Sequence, residues 1–95
     1  MKERVTDDAK ADLRPIKAFI SERSNSAAEG VMDRIGKTLT LIAVLPRLGH
    51  PGVAIGTFEK SVPRLPYLIV YRIDMTDDER QLVVLRAYHS AQDRE

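Results

Sequence analysis

A chain of 95 residues has room for one modest core, and a domain of that size is only marginally stable unless a partner covers part of its apolar surface. Hydrophobic residues at 43% and charged residues at 31% give the balance of a folded globular chain, excluding a disordered or membrane-embedded one. The formal net charge of +1 does not by itself call for a nucleic-acid partner, and the absence of cysteine excludes a disulfide framework, a thiolate zinc site and a cysteine nucleophile.

In chain order, "MKERV" is short and ends in an apolar residue, which suits a first strand. The "TDD" that follows supplies an N-cap residue and acids for a helix start. Ala9, Leu13, Ile16 and Ile20 then recur at spacings of four, three and four, placing them on one helical face. Pro15 interrupts that face, because it lacks an N–H and its ring crowds the preceding turn, so a kink or a helix beginning near Asp12 is expected.

"SERSNS" breaks the pattern, and Ser26 with Glu29 three residues later reads as a capping box for a second helix. Its apolar stripe is Ala27, Val31, Ile35, Leu39 and Ile42, with Pro46 ending the run. Two amphipathic helices with a short link form an antiparallel hairpin that must bury its stripe against another layer.

"PRLGHPGVAIG" is a turn-rich connector, after which the period changes to that of strands. "TFEKSV", "PYLIVYRID" and "QLVVLRAYH" are the strand candidates, the last two joined by the polar turn "MTDDER". Strict alternation along the last strand puts Leu82, Val84, Arg86 and Tyr88 on one face, and Val83, Leu85, Ala87 and His89 on the other. The expected fold is one α+β domain over residues 1–95: an antiparallel sheet of order β-α-α-β-β-β packed on the helical hairpin. Its second sheet face is apolar enough to want a covering layer from another chain.

The chemistry-bearing residues are few. His50 and His89 are too few for a metal cluster, so neither a metal site nor a cofactor is expected. His89 could act as a general base, but no carboxylate is placed by sequence to orient it, and neighbouring Ser90 points to the opposite face of a strand. Tyr67, Tyr71 and Tyr88 could stack on bases, yet aromatics at alternating strand positions ordinarily pack across strands. The glycines of "GHPGVAIG" lack phosphate-loop spacing. Between Pro46 and Ile73 the charges are Arg47, Lys60, Arg64 and Arg72 against Glu59 alone, so the strand region is locally basic. No apolar run approaches the roughly 20 residues needed to cross a bilayer, and the first ten residues do not resemble a signal peptide. A cytoplasmic location without membrane contact is expected.

The segments "TDDAKADLRPIKAFI", "LPRLGHPG", "GTFE", "PYLIVYRID" and "VVLRAYHSAQDR", in this order, resemble the ParE and RelE superfamily of bacterial toxins from type II toxin–antitoxin systems. That resemblance implies a sheet with a helical hairpin on one face. It also implies a cognate ParD-like or related antitoxin whose C-terminal segment wraps the toxin in a hetero-oligomer.

Two activities occur in the superfamily. The RelE-like branch cleaves messenger RNA in the ribosome, using basic residues to stabilise the phosphate transition state. This chain keeps Lys60 but has Leu68 where a strand arginine would stand, and Gln92 in place of an arginine near its end. The ParE-like branch instead binds and poisons DNA gyrase without itself catalysing a reaction, and it is the reading the residues favour; direct nucleic-acid binding by this chain is not expected. The target-binding candidates are then Lys60, Arg64, Arg72, Arg86, Tyr88 and His89, with no catalytic residue assigned. Phe58 and Gln92 replace arginines of many ParE-like relatives, which leaves as a further alternative a toxin fold that binds only its antitoxin.

Overall fold

A computed structural model describes residues 1–90. The elements run β1 (Lys2–Val5), α1 (Asp7–Ser21), α2 (Asn25–Val44), a 3₁₀ turn (Pro46–Leu48), β2 (His50–Pro51), β3 (Phe58–Ser61), β4 (Tyr67–Thr76) and β5 (Glu79–His89). The sheet has five strands in the order β1-β5-β4-β3-β2, with the hairpin of α1 and α2 across one face.

The α+β class and the element order are as expected, with two corrections to the sheet. β1 pairs parallel to β5, so the sheet is mixed rather than wholly antiparallel. The α1–α2 excursion returns the chain to the sheet as a long crossover, which permits parallel pairing where a tight hairpin would forbid it. The connector also contributes a fifth strand, β2, whose two residues pair with Phe58 and Glu59 and are too short to give a periodic signal.

Thr6 caps α1 as expected, its hydroxyl accepting the Ala9 N–H at 3.2 Å. The same hydroxyl donates toward the carbonyls of Val84 and Leu85, tying the helix start to β5. α1 is one helix through Pro15, not a helix beginning near Asp12. Pro15 and Ala11, whose carbonyl loses its N–H partner, are both exposed, where water can serve the orphaned acceptor. Ser24, not Ser26, opens α2: it is extended at φ −162° and ψ 116°, and its hydroxyl accepts the Ala27 N–H at 3.1 Å. The Ser26–Glu29 spacing therefore lies inside the helix and does not form a capping box. Ala28 is buried and Ala27 exposed, the reverse of the expected stripe.

The core lies between hairpin and sheet and is built from Ala9, Ile35, Leu39 and Ile42 of the helices with Ile69, Tyr71, Leu82, Val84 and Ala87 of the strands. Each fully buried aliphatic side chain contributes about 1.5–3 kcal/mol relative to exposure. Tyr71 is the largest fully buried side chain. Its hydroxyl donates to the Pro46 carbonyl at 2.6 Å and accepts the Gly49 N–H at 3.1 Å, so the "PRLG" segment is a socket for this phenol. A Cβ on Gly49 would overlap the Tyr71 hydroxyl and stand 3.0 Å from the Glu59 carbonyl, which is why that socket ends in glycine.

Candidate target-binding face

The geometry of the second sheet face is set by one irregularity. β4 and β5 pair Val70 with Arg86 and then Tyr71 with Val84, which leaves Leu85 as an extra residue in a β-bulge. The strict alternation expected for β5 therefore fails. Leu82 and Val84 point to the helices, and so does Ala87, whereas Arg86 and Tyr88 turn to the opposite face with Leu85.

On that face Arg86 is gripped from two sides. Its Nε and Nη2 donate to Asp12 of α1 at 2.8 and 2.9 Å, and its guanidinium carbon lies 4.9 Å from the Tyr88 ring centroid. Asp12 also accepts the Ala87 backbone N–H at 2.9 Å. β1 has ended at Val5, so the Asp12 carboxylate takes the place of the next strand residue along the edge of β5. Burial pushes the Asp12 carboxyl up, but the Arg86 hydrogen bonds, the Ala87 N–H and the Arg86 charge outweigh it and hold the group below its ordinary range. The hydrogen bonds to Asp12 raise Arg86, which is thus a permanent cation and not a proton donor.

Arg72 stands on the same face. It forms a two-point pair with Asp74, two residues along β4, at 2.7 and 3.1 Å. That hydrogen-bonded pairing raises Arg72 and lowers Asp74. Arg72 and Arg4 flank Val83 across the strands, and Val83 is fully buried although the helices lie on the other side. A hollow of about 220 Å³ opens beside Arg86 and Tyr88, bounded by Thr57, Val70 and the buried Glu59. Glu59 is 3.5 Å from His50, its partner across β2 and β3.

The structure divides the six candidates. Arg72, Arg86 and Tyr88 share the face opposite the helices. His89 does not join them: with Tyr67, in an edge-to-face contact at 5.8 Å, it lines a groove of about 450 Å³ against α1. Lys60 lies near the sheet edge, its ammonium 3.3 Å from the Ser61 carbonyl. Arg64 sits in the β3–β4 turn with a left-handed φ of 66°, beside Arg34 and Lys37 of α2. Leu68 is buried on the Tyr88 face, and Phe58 stacks on Tyr71 at 5.6 Å at the margin of the core. Gln92 lies outside the described residues. Among the described residues, no three His, Asp or Glu side chains gather where a metal ion could sit.

Sequence reasoning passed over Asp12, Asp74 and Tyr71 as functional supports. The Arg72–Asp74 spacing was legible as a same-face pair on a strand. Nothing local marks Asp12, which meets Arg86 across 74 positions of sequence.

Solved structures with this architecture define the class as a small α+β toxin fold. A chain of the chromosomal ParDE system of P. aeruginosa superposes with a TM-score of 0.78 at 18% identity, covering 94% of this chain and 95% of that one. The YoeB/ParE toxin of Agrobacterium tumefaciens gives a TM-score of 0.64 at 17% identity over 94% and 98%. A chain of the RelBE2 toxin–antitoxin complex of Mycobacterium tuberculosis gives 0.55 at 27% identity over 93% and 95%.

In sequence, residues 4–94 match the family model described as the ParE toxin of the type II toxin–antitoxin system parDE. A Sinorhizobium fredii protein provisionally named a toxin, Y4kP, is 34% identical over 80 residues, 84% of this chain and 78% of that protein. The chain belongs to the ParE toxin family of type II toxin–antitoxin systems. No helix among the described residues is long and apolar enough to cross a membrane.

Proposed function

We propose that this toxin acts by binding DNA gyrase directly, through the sheet face that carries Arg72, Arg86 and Tyr88, and that a ParD-like antitoxin neutralises it. The observation that carries this reading is the state of the two arginines on that face. Each is held by its own carboxylate, Arg86 by Asp12 and Arg72 by Asp74. Transition-state stabilisation at a phosphate calls for cations aimed at developing charge, whereas these are already committed. Ordered arginines beside an aromatic ring suit instead a protein interface, where losing little side-chain freedom on docking favours affinity. Lys60 and Arg64, the remaining basic candidates, stand away from that face, which weakens the RelE-like endonuclease reading.

A second reading is a toxin fold that binds its antitoxin and inhibits nothing. Phe58 favours it, since the residue standing where many relatives carry an arginine is packed on Tyr71. Induction of the chain without a neighbouring antitoxin gene separates the readings. Growth arrest with DNA damage and intact messenger RNA is the expected result; arrest with cleaved messenger RNA would overturn the gyrase reading, and growth without arrest, despite folded protein, would establish the second.

A further inference from the structure

The turn between β3 and β4 carries a residue that its backbone does not favour. Val62–Leu65 is closed by the Leu65 N–H donating to the Val62 carbonyl at 3.2 Å, with Pro63 and Arg64 as the two central residues. Arg64 has φ 66°, the left-handed value that the third position of a type II turn requires and that glycine or asparagine ordinarily supplies. Asp77, the other non-glycine residue with positive φ, is of a type that tolerates it. A long side chain is strained there, and among the described residues Arg64 enters no ion pair that would offset the strain. Strain of this kind persists where the side chain serves a function.

What Arg64 faces supplies that function. A hollow of about 400 Å³ lies between the turn and α2, lined by Arg34, Lys37, Thr38, Leu41, Pro63 and Arg64. The four α2 residues follow one another at helical spacing, so they form one face of the helix. Lys37 is paired with Asp33 at 3.0 Å, but both side chains are well exposed, and such a pair yields readily to a competing ion. Arg34, like Arg64, has no ion pair among the described residues. The Thr38 hydroxyl donates to the Arg34 carbonyl at 2.9 Å, which leaves the three cations as the donors toward the hollow.

The charge selects the ligand. Three cations against the single carboxylate of Asp33 leave two positive charges at one opening. A carboxylate would neutralise one of them, whereas a phosphate monoester carries close to two negative charges near neutrality and three acceptor oxygens. Arginine forks match those oxygens two at a time. Leu41 and Pro63 complete the lining with apolar surface on which the group esterified to the phosphate can rest. No histidine or carboxylate lines the hollow, so it is furnished for holding a phosphate and not for cleaving one.

We infer that this hollow binds a phosphate monoester, held by Arg34, Lys37 and Arg64. A free nucleotide and the phosphorylated end of a nucleic acid share that chemistry. The site is separate from the face of Arg72, Arg86 and Tyr88, and the inference does not rest on the gyrase reading.

The test titrates the isotope-labelled full chain with adenosine monophosphate at fixed ionic strength and follows backbone amide shifts. Saturable movement of the amides of residues 34–38 and 62–65 is expected. It should weaken at least about fivefold at pH 5, where the ligand has passed below its second ionisation at about pH 6. Arg64→Gly keeps the turn and removes the cation, so it should unfold at or above the parent's Tm and bind at least about tenfold more weakly. Arg34→Ala should weaken binding to a similar degree, and Lys17→Ala, which removes the same charge from an exposed position on α1, should bind as the parent does. A 5′-phosphorylated oligonucleotide and its unphosphorylated twin distinguish the sources: preference for the phosphorylated one over the nucleotide assigns a nucleic-acid end, and the reverse order assigns a free nucleotide. Absence of saturable shifts would overturn the inference, as would equal binding of acetate or of the unphosphorylated oligonucleotide. So would equal weakening by Lys17→Ala, or full binding by Arg64→Gly.

Discussion

Replacing Asp12 with alanine removes a carboxylate that serves three donors at once: two from the Arg86 guanidinium and one from the Ala87 backbone. A hydrogen bond to a charged group contributes about 1.5–3 kcal/mol when its partner cannot turn to water. The Arg86 side chain is 41% exposed and recovers much of its solvation, whereas the Asp12 side chain, at 16%, shields the Ala87 N–H at the sheet edge. The net loss should therefore be about 2 kcal/mol, roughly thirtyfold in the folding equilibrium and about 10 °C in Tm for a chain of this size.

The loss should also depend on pH. The Asp12 carboxyl titrates lower in the folded chain than in the unfolded one, so its contribution is complete above the unfolded value of about 3.9 and disappears as pH falls through the folded value. Urea unfolding followed by circular dichroism, for parent and Asp12→Ala across acidic and neutral pH, measures the gap. It should be full near neutrality and narrow in acid. A gap below about 0.5 kcal/mol at neutral pH, or one that stays constant into acid, would refute the assignment of Asp12 as the clamp on β5.

Other consequences can be measured on single variants. Tyr71→Phe leaves the Pro46 carbonyl and the Gly49 N–H without their partner and should cost about 1–3 kcal/mol by denaturant titration, with little change in m-value. Gly49→Ala forces the same phenol out of its socket and should cost a similar amount, about 2 kcal/mol by the same measurement. Ile69→Ala, at a fully buried position, should cost about 2–5 kcal/mol, read as a fall in the denaturant midpoint. Tyr88→Ala removes the ring against Arg86 without opening the core, so thermal unfolding should move little while growth arrest on induction weakens.

Local periodicity exposed much of this fold. Thr6 as a cap, the Ile35–Leu39–Ile42 stripe and the two long strands follow from spacing and propensity, because each is decided within a few neighbouring residues. The β5 bulge at Leu85 is decided by pairing with β4, and a one-residue insertion inverts every side chain beyond it. Arg86 and Tyr88 thus share one face, as alternation predicts, but on the side of the sheet opposite Val84, and Ala87 enters the core in their place.

"PRLG" and the second tyrosine of "Y-x-x-x-Y-R" were legible as family marks, yet the reason they occur together, a buried phenol seated on Pro46 and Gly49, joins residues 25 and 22 positions apart. In the sequence Asp12 marks only a helix start. Long-range charge pairing leaves no periodic trace in one sequence, and half of the proposed site's architecture lies in such pairs.

The central claim is that the ordered Arg72, Arg86 and Tyr88 face inhibits gyrase by contact, and plasmid supercoiling by purified gyrase with added toxin tests it most directly. The parent should block supercoiling or trap cleaved DNA in proportion to toxin added. Arg72→Ala combined with Tyr88→Ala should remain folded by circular dichroism and lose at least about tenfold in potency. Supercoiling unaffected by saturating folded parent would contradict the claim, and inhibition undiminished in the double variant would contradict the assignment of the face.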